Sequence, residues 1–96
     1  MDQEQHRQFI RTNRDQAGAI WDECKKLKEK VGDAATLSVI DHARKAAEAA
    51  GNLCDTSEKL PADEAKAINA RKQILQYNSE ASAKLLEAEK MLTERK

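Results

Sequence analysis

Aromatic groups are almost missing from this sequence: Phe9, Trp21 and Tyr77 stand alone among 96 residues. Proline occurs once, at Pro61, and glycine three times. Sheet sandwiches and barrels need aromatic and β-branched strands joined by glycine- and proline-rich turns, so that class is excluded. No apolar run approaches the roughly 18 residues of a membrane span, and the opening "MDQEQHRQ" lacks the basic-then-apolar order of a signal peptide. The expectation is a soluble, cytoplasmic chain with no membrane partner. An excess of either charge is also missing, because seventeen Lys and Arg balance seventeen Asp and Glu along the chain. No global field draws it to nucleic acid or to an anionic surface. Cysteine appears only as Cys24 and Cys54, too few and too far apart for a disulfide framework, which predicts two reduced, partly buried thiols.

What is present is alanine, sixteen times, and 35% charged residues, the profile of a helical or coiled-coil chain. The length suits one core, so residues 1–96 are expected to form a single all-helical domain, a complete small gene product. At about 100° per residue, Ile10, Asn13, Ala17, Ile20, Cys24, Leu27 and Val31 fall on one stripe in alternating steps of three and four, a coiled-coil seam. His6 lies on the same seam. The first helix is predicted over 3–31, ending at Gly32 as a C′ residue, with Asp33 capping the next. The second begins at 34 and presents a thin face of Val39, Ile40, Ala43, Ala46, Ala47 and Ala50, which lets a neighbouring backbone come close. It ends either at 50, before Gly51, or continues towards 59, in which case Cys54 extends the row. The third is predicted over 61–95, with Pro61 in its first turn and Lys90, Arg95 and Lys96 at its negative end.

That third helix carries two apolar rows. Ala67, Ala70, Ile74, Tyr77, Ala81, Leu85, Ala88, Met91 and Leu92 form one; Ile68, Leu75 and Leu86 form the other, about 100° away. Two rows imply neighbours on two sides. The expected fold is all-α, three helices in an antiparallel bundle or a coiled-coil-like hairpin arrangement. In architecture and heptad rhythm it is similar to spectrin-type three-helix repeats, and no sequence motif accompanies that likeness.

Chemistry is sparse. There is no glycine-rich phosphate loop, no C-x-x-C, no H-E-x-x-H and no E-x-x-H, and neither His6 nor His42 has companions at ligand spacing. No catalytic residue, metal or cofactor is expected, and the chain reads as a non-enzyme. Arg7, Arg11, Arg14, Lys25 and Lys28 do form a basic row beside the apolar stripe, and Trp21 lies on the margin of that stripe. Read blandly, the row is a solvated edge held by local pairs such as Arg11 with Asp15, and Trp21 is core in a chain short of bulk. Read functionally, the row docks an acidic protein surface. Tracking phosphates is the weaker alternative, since Glu4, Asp15, Asp22 and Glu29 intervene and no aromatic interleaves for stacking. The expected function is therefore a protein–protein interaction module. Small regulators, inhibitors and accessory proteins, those of phage and mobile elements among them, have this character. Its expected docking residues are Arg7, Arg11, Arg14, Trp21, Lys25 and Lys28. Leu85, Leu86, Met91 and Leu92 are left for a further chain and predict a homodimer.

Overall fold

The computed structural model describes residues 1–94 and contains three helices: α1 (Gln3–Glu29), α2 (Ala34–Ser57) and α3 (Ala65–Glu94). The expectations for Arg95 and Lys96, and for the end of the last helix at 95, lie outside the described residues. The helices lie side by side in a bundle of 49 × 17 × 17 Å, with α2 packed along both others and α1 and α3 touching less extensively. No helix among the described residues is long and apolar enough to cross a membrane.

Local signals start the first two helices. Asp2 accepts from the Gln5 N–H at 2.8 Å while the Gln5 amide accepts from the Asp2 N–H at 3.0 Å, a closed capping box. Asp33 caps α2 as expected, accepting from Thr36 at 2.8 Å. α1 ends two residues earlier than its apolar rhythm suggests, with the Lys30 N–H bonded to the Leu27 carbonyl and no glycine at positive φ. Gly32 is therefore not a left-handed cap; a tight last turn does that work, and Val31 packs on the core from outside the helix.

α2 runs unbroken through Gly51 to Ser57. A single helical glycine costs about 1 kcal/mol, and the burial of Ala50 and Cys54 on either side outweighs it. α3 begins at Ala65, not Pro61. The Gln3 side chain reaches across to hold the segment before it, donating to the Leu60 carbonyl at 2.9 Å and accepting from the Ala62 N–H at 2.8 Å. Pro61–Glu64 forms a separate turn before the helix, closed by the Glu64 N–H on the Pro61 carbonyl.

The register follows from three polar contacts. His6 Nε2 donates to the Ser57 carbonyl at 2.9 Å, Arg71 donates to His6 Nδ1 at 2.7 Å, and the Asn78 amide donates to Asn13 Oδ1 at 3.2 Å. His6 with Arg71 and Asn13 with Asn78 are both offset by 65 residues, so α1 and α3 run parallel in one heptad register, with α2 antiparallel between them. Carried on by heptads from the His6, Ser57 and Arg71 layer, this register puts the buried residues in the sets Asn13, Ala50 and Asn78, then Ile20, Ala43 and Leu85, then Leu27, Thr36 and Leu92. Between them come Ile10, Cys54 and Ile74, then Ala17, Ala47 and Ala81, then Cys24, Ile40 and Ala88. The polar Asn13 layer divides the core into two clusters. Below it lies a layer made wholly of alanine, whose small side chains permit close approach of neighbouring backbones.

The seam expected for α1 is buried residue for residue from Ile10 to Leu27. On α3 one member differs: Asn78 is buried, and Tyr77 is 36% exposed. Ala67, Ile74, Asn78, Ala81, Leu85, Ala88 and Leu92 keep the three-four rhythm of a seam, which Tyr77 breaks. Among the described residues the second row is left largely uncovered. Ile68, Leu75 and Leu86 are 41%, 52% and 57% exposed, because both other helices pack against the first row.

Candidate functional site

Both thiols are buried among apolar neighbours, Cys24 level with Ile40 and Cys54 level with Ile10 and Ile74. Burial pushes the Cys54 thiol up to about 11 from an ordinary value of 9.0, and moves Cys24 in the same direction. A thiol that holds its proton this firmly is a poor nucleophile at neutral pH. It also makes stability depend on pH with a definite sign. Folded Cys54 stays protonated where the unfolded chain has ionised, so its contribution is complete below pH 9 and is lost as pH rises through 11. At pH 10 the loss is on the order of 1 kcal/mol, read as a drop in the urea midpoint between pH 8 and pH 10 that is smaller in Cys54→Ala, where only Cys24 still contributes in that direction. The same drop in that variant would assign the effect to other groups.

His6, its ring nitrogens taken by Ser57 and Arg71, is a satisfied core contact. His42 is half-exposed and pairs with Glu80 across a groove between α2 and α3, where Tyr77 and Lys45 also lie. No group of three or more His, Cys, Asp or Glu suited to a metal occurs among the described residues.

The basic row divides into two parts. At one end of the α1/α2 face, Arg14 meets both Asp55 (3.4 Å) and Glu58 (3.3 Å), and Arg11 meets Glu58 at 3.7 Å. Arg11 thus pairs across to α2, where its expected partner was Asp15; carboxylates some 40 residues away outcompete the local one. Arg7 has Glu4 at 3.8 Å. These pairs are partly exposed and contribute little stability, but they leave the upper part of the row near neutrality.

Towards the other end the balance shifts. Lys28 and Arg44 share one carboxylate, Asp41, at 3.6 and 3.7 Å. Lys25 stands over the Trp21 ring with its ammonium 5.8 Å from the centroid, a cation–π contact. Trp21, Lys25, Lys28, Glu29 and Arg44 line a groove between α1 and α2. Trp21 is half-buried: one part of the indole packs on the lower core cluster beside Ile20, and the rest walls this groove and a second one. The second groove is floored by Ala17 and Ala47, with Gly18 on α1 and Gly51 on α2. Neither glycine has a positive φ, and a Cβ at either would meet nothing within 4 Å. Backbone geometry and internal packing therefore require neither of them.

Arg7, Arg11, Arg14, Trp21, Lys25 and Lys28 thus all lie along α1, with Arg14, Trp21, Lys25 and Lys28 lining its grooves with α2. Leu85 and Leu92 pack on the core, Met91 is half-buried, and Leu86 is exposed. Arg44 and Gly18 were not singled out from the sequence, and Gly51 figured there only as a candidate end of the second helix. Arg44 is one charge among many until α2 is laid beside α1, and only the two glycines' opposition across a groove distinguishes them. No protein-family model, curated protein or solved structure matches the chain.

Proposed function

We propose that this chain is a non-enzymatic protein–protein interaction module, a small helical regulator or accessory protein of the cytoplasm. It docks an acidic segment of a partner protein along the α1/α2 face around Trp21. The observation that carries this reading is the half-buried indole walling two adjoining grooves, the first of which, towards the lower end, sets three cations (Lys25, Lys28 and Arg44) against the two carboxylates Asp41 and Glu29, while the second holds Arg14 with Glu48 and Asp55. An aromatic anchor ringed by basic groups is the residue combination of interface hot spots. The surplus of positive charge at this end selects an acidic segment. Gly18 and Gly51 support the reading. Each costs about 1 kcal/mol relative to alanine in a helix, and the open groove they leave admits a partner close to both backbones.

The test separates stability from binding. Gly18→Ala with Gly51→Ala is expected to raise stability by about 1 to 2 kcal/mol in urea unfolding and to weaken partner capture, since the new methyls fill the groove. Lys25→Glu with Lys28→Glu is expected to abolish capture, with helicity by circular dichroism unchanged. Affinity capture from the native host, compared across wild type and both variants, checks this. Capture indifferent to both variants overturns the proposal, and so does a bound fraction that nuclease treatment removes.

A further inference from the structure

The row on α3 that neither helix covers has an internal symmetry. Lys72, Leu75, Ser79, Ser82, Leu86 and Glu89 follow one another in steps of three, four, three, four and three. All face outward; Ser82 is half-buried and the others are exposed. Reversed about the point midway between Ser79 and Ser82, this row maps on to itself: serine on serine, leucine on leucine, and lysine on glutamate. One step further out, Ile68 maps on to Thr93, two β-branched groups. In a contact between identical surfaces related by a two-fold axis each residue meets the one at its mirror position, so the pairing is favourable where mirror positions are complementary, as leucine with leucine and lysine with glutamate are here.

We infer that this face of α3 is the interface of a homodimer, in which two copies of α3 pair antiparallel as a coiled-coil seam about a two-fold axis between Ser79 and Ser82. Leu75 packs on Leu86 of the second copy. Lys72 meets Glu89 of the second copy, and by symmetry each of these contacts is made twice. Neither Lys72 nor Glu89 has an ion-pair partner among the described residues, so both are free to pair across the axis. The serines at the centre keep the two backbones close, as small residues do at helix crossings. A parallel pairing would set Lys72 on Lys72 and Glu89 on Glu89, and the charges select against it. The seam from Ile68 to Thr93 is about 38 Å long at 1.5 Å per residue. With three large apolar groups from each copy it is smaller than a standard interface of about 800 Å² per partner, so association falls in the micromolar range. This face is distinct from the α1/α2 grooves and does not depend on the docking proposed for them.

Sedimentation equilibrium from about 1 μM to 1 mM tests the inference directly, because the span brackets micromolar association. The weight-average mass is expected to rise from 10.8 kDa towards twice that value. Leu75→Glu is expected to hold the chain monomeric throughout, with its helicity intact because the position is exposed. Lys72→Glu and Glu89→Lys are each expected to weaken association about fivefold or more, since each change places like charges together at two symmetric points. The double charge swap restores it. A wild-type monomer at 1 mM overturns the proposal. A dimer that survives Leu75→Glu, or a charge swap that fails to rescue the single reversals, overturns it equally.

Discussion

Replacing Ile40 by alanine is expected to cost about 3 to 5 kcal/mol, the upper part of the range for emptying a buried isoleucine site. Ile40 is fully buried and level with Cys24 and Ala88, so it is the one large group of its layer. In a core with leucine and phenylalanine on every side, neighbours relax into part of such a void. Here the facing groups within the layer are a thiol and a methyl, which have little reach with which to refill it, and the larger groups of the cluster, Ile20, Leu27, Leu85 and Leu92, lie in the layers above and below. Against a total of roughly 5 to 14 kcal/mol for a chain of this length, the loss is a large fraction of stability. Urea unfolding measures it as a lowered midpoint with an unchanged slope. A cost below about 1.5 kcal/mol, the level of a tolerated volume-conserving swap, would show that the layer collapses and that the alanine-rich packing is looser than described.

The Asn13 and Asn78 pair is expected to show strong coupling between two substitutions that each remove a hydrogen-bonding partner. Asn78 donates to the Asn13 backbone carbonyl at 3.1 Å and to its side-chain oxygen at 3.2 Å, and Asn13 donates to the Phe9 carbonyl at 2.9 Å. The side-chain oxygen of Asn78 has no hydrogen-bond partner. Asn78→Leu alone strands the Asn13 oxygen, and Asn13→Leu alone leaves the Asn78 amide with only its bond to the backbone carbonyl of residue 13, so each single change is expected to cost about 1 to 3 kcal/mol, the first more than the second. Changing both removes every orphaned group and joins the two apolar clusters, so the double variant is expected to be as stable as wild type or more so. A double-mutant cycle should return a coupling above about 1 kcal/mol in favour of the pair. Additivity within about 0.5 kcal/mol would mean that the two amides act independently and do not form a shared layer. The polar layer is then a device of register: its heptad match aligns α3 with α1 at a cost in stability.

What the sequence by itself determined is which face of α1 and of α2 is buried. The seam of α1, the alanine face of α2 and the capping role of Asp33 were all legible, because amphipathic spacing and caps are local properties set by residues within a turn or two. The same rhythm held the signal for Asn78, a polar residue in a seam position that was passed over for the larger Tyr77. Only the tertiary structure decided the rest. Gly51 stays helical because residues on either side of it are buried against distant neighbours. α3 starts at Ala65 after a separate turn at Pro61–Glu64, a segment that Gln3, at the far end of the chain, holds through Leu60 and Ala62. Arg11 and Arg14 are neutralised by carboxylates of α2, while Lys28 and Arg44 divide one between them. The outer row of α3 is uncovered because both other helices lie against the inner one. The physical reason is common to all of these. Periodicity records that a face must be covered, whereas the identity of the covering group depends on a register between segments 40 to 65 residues apart, and that register exists only once the helices have packed.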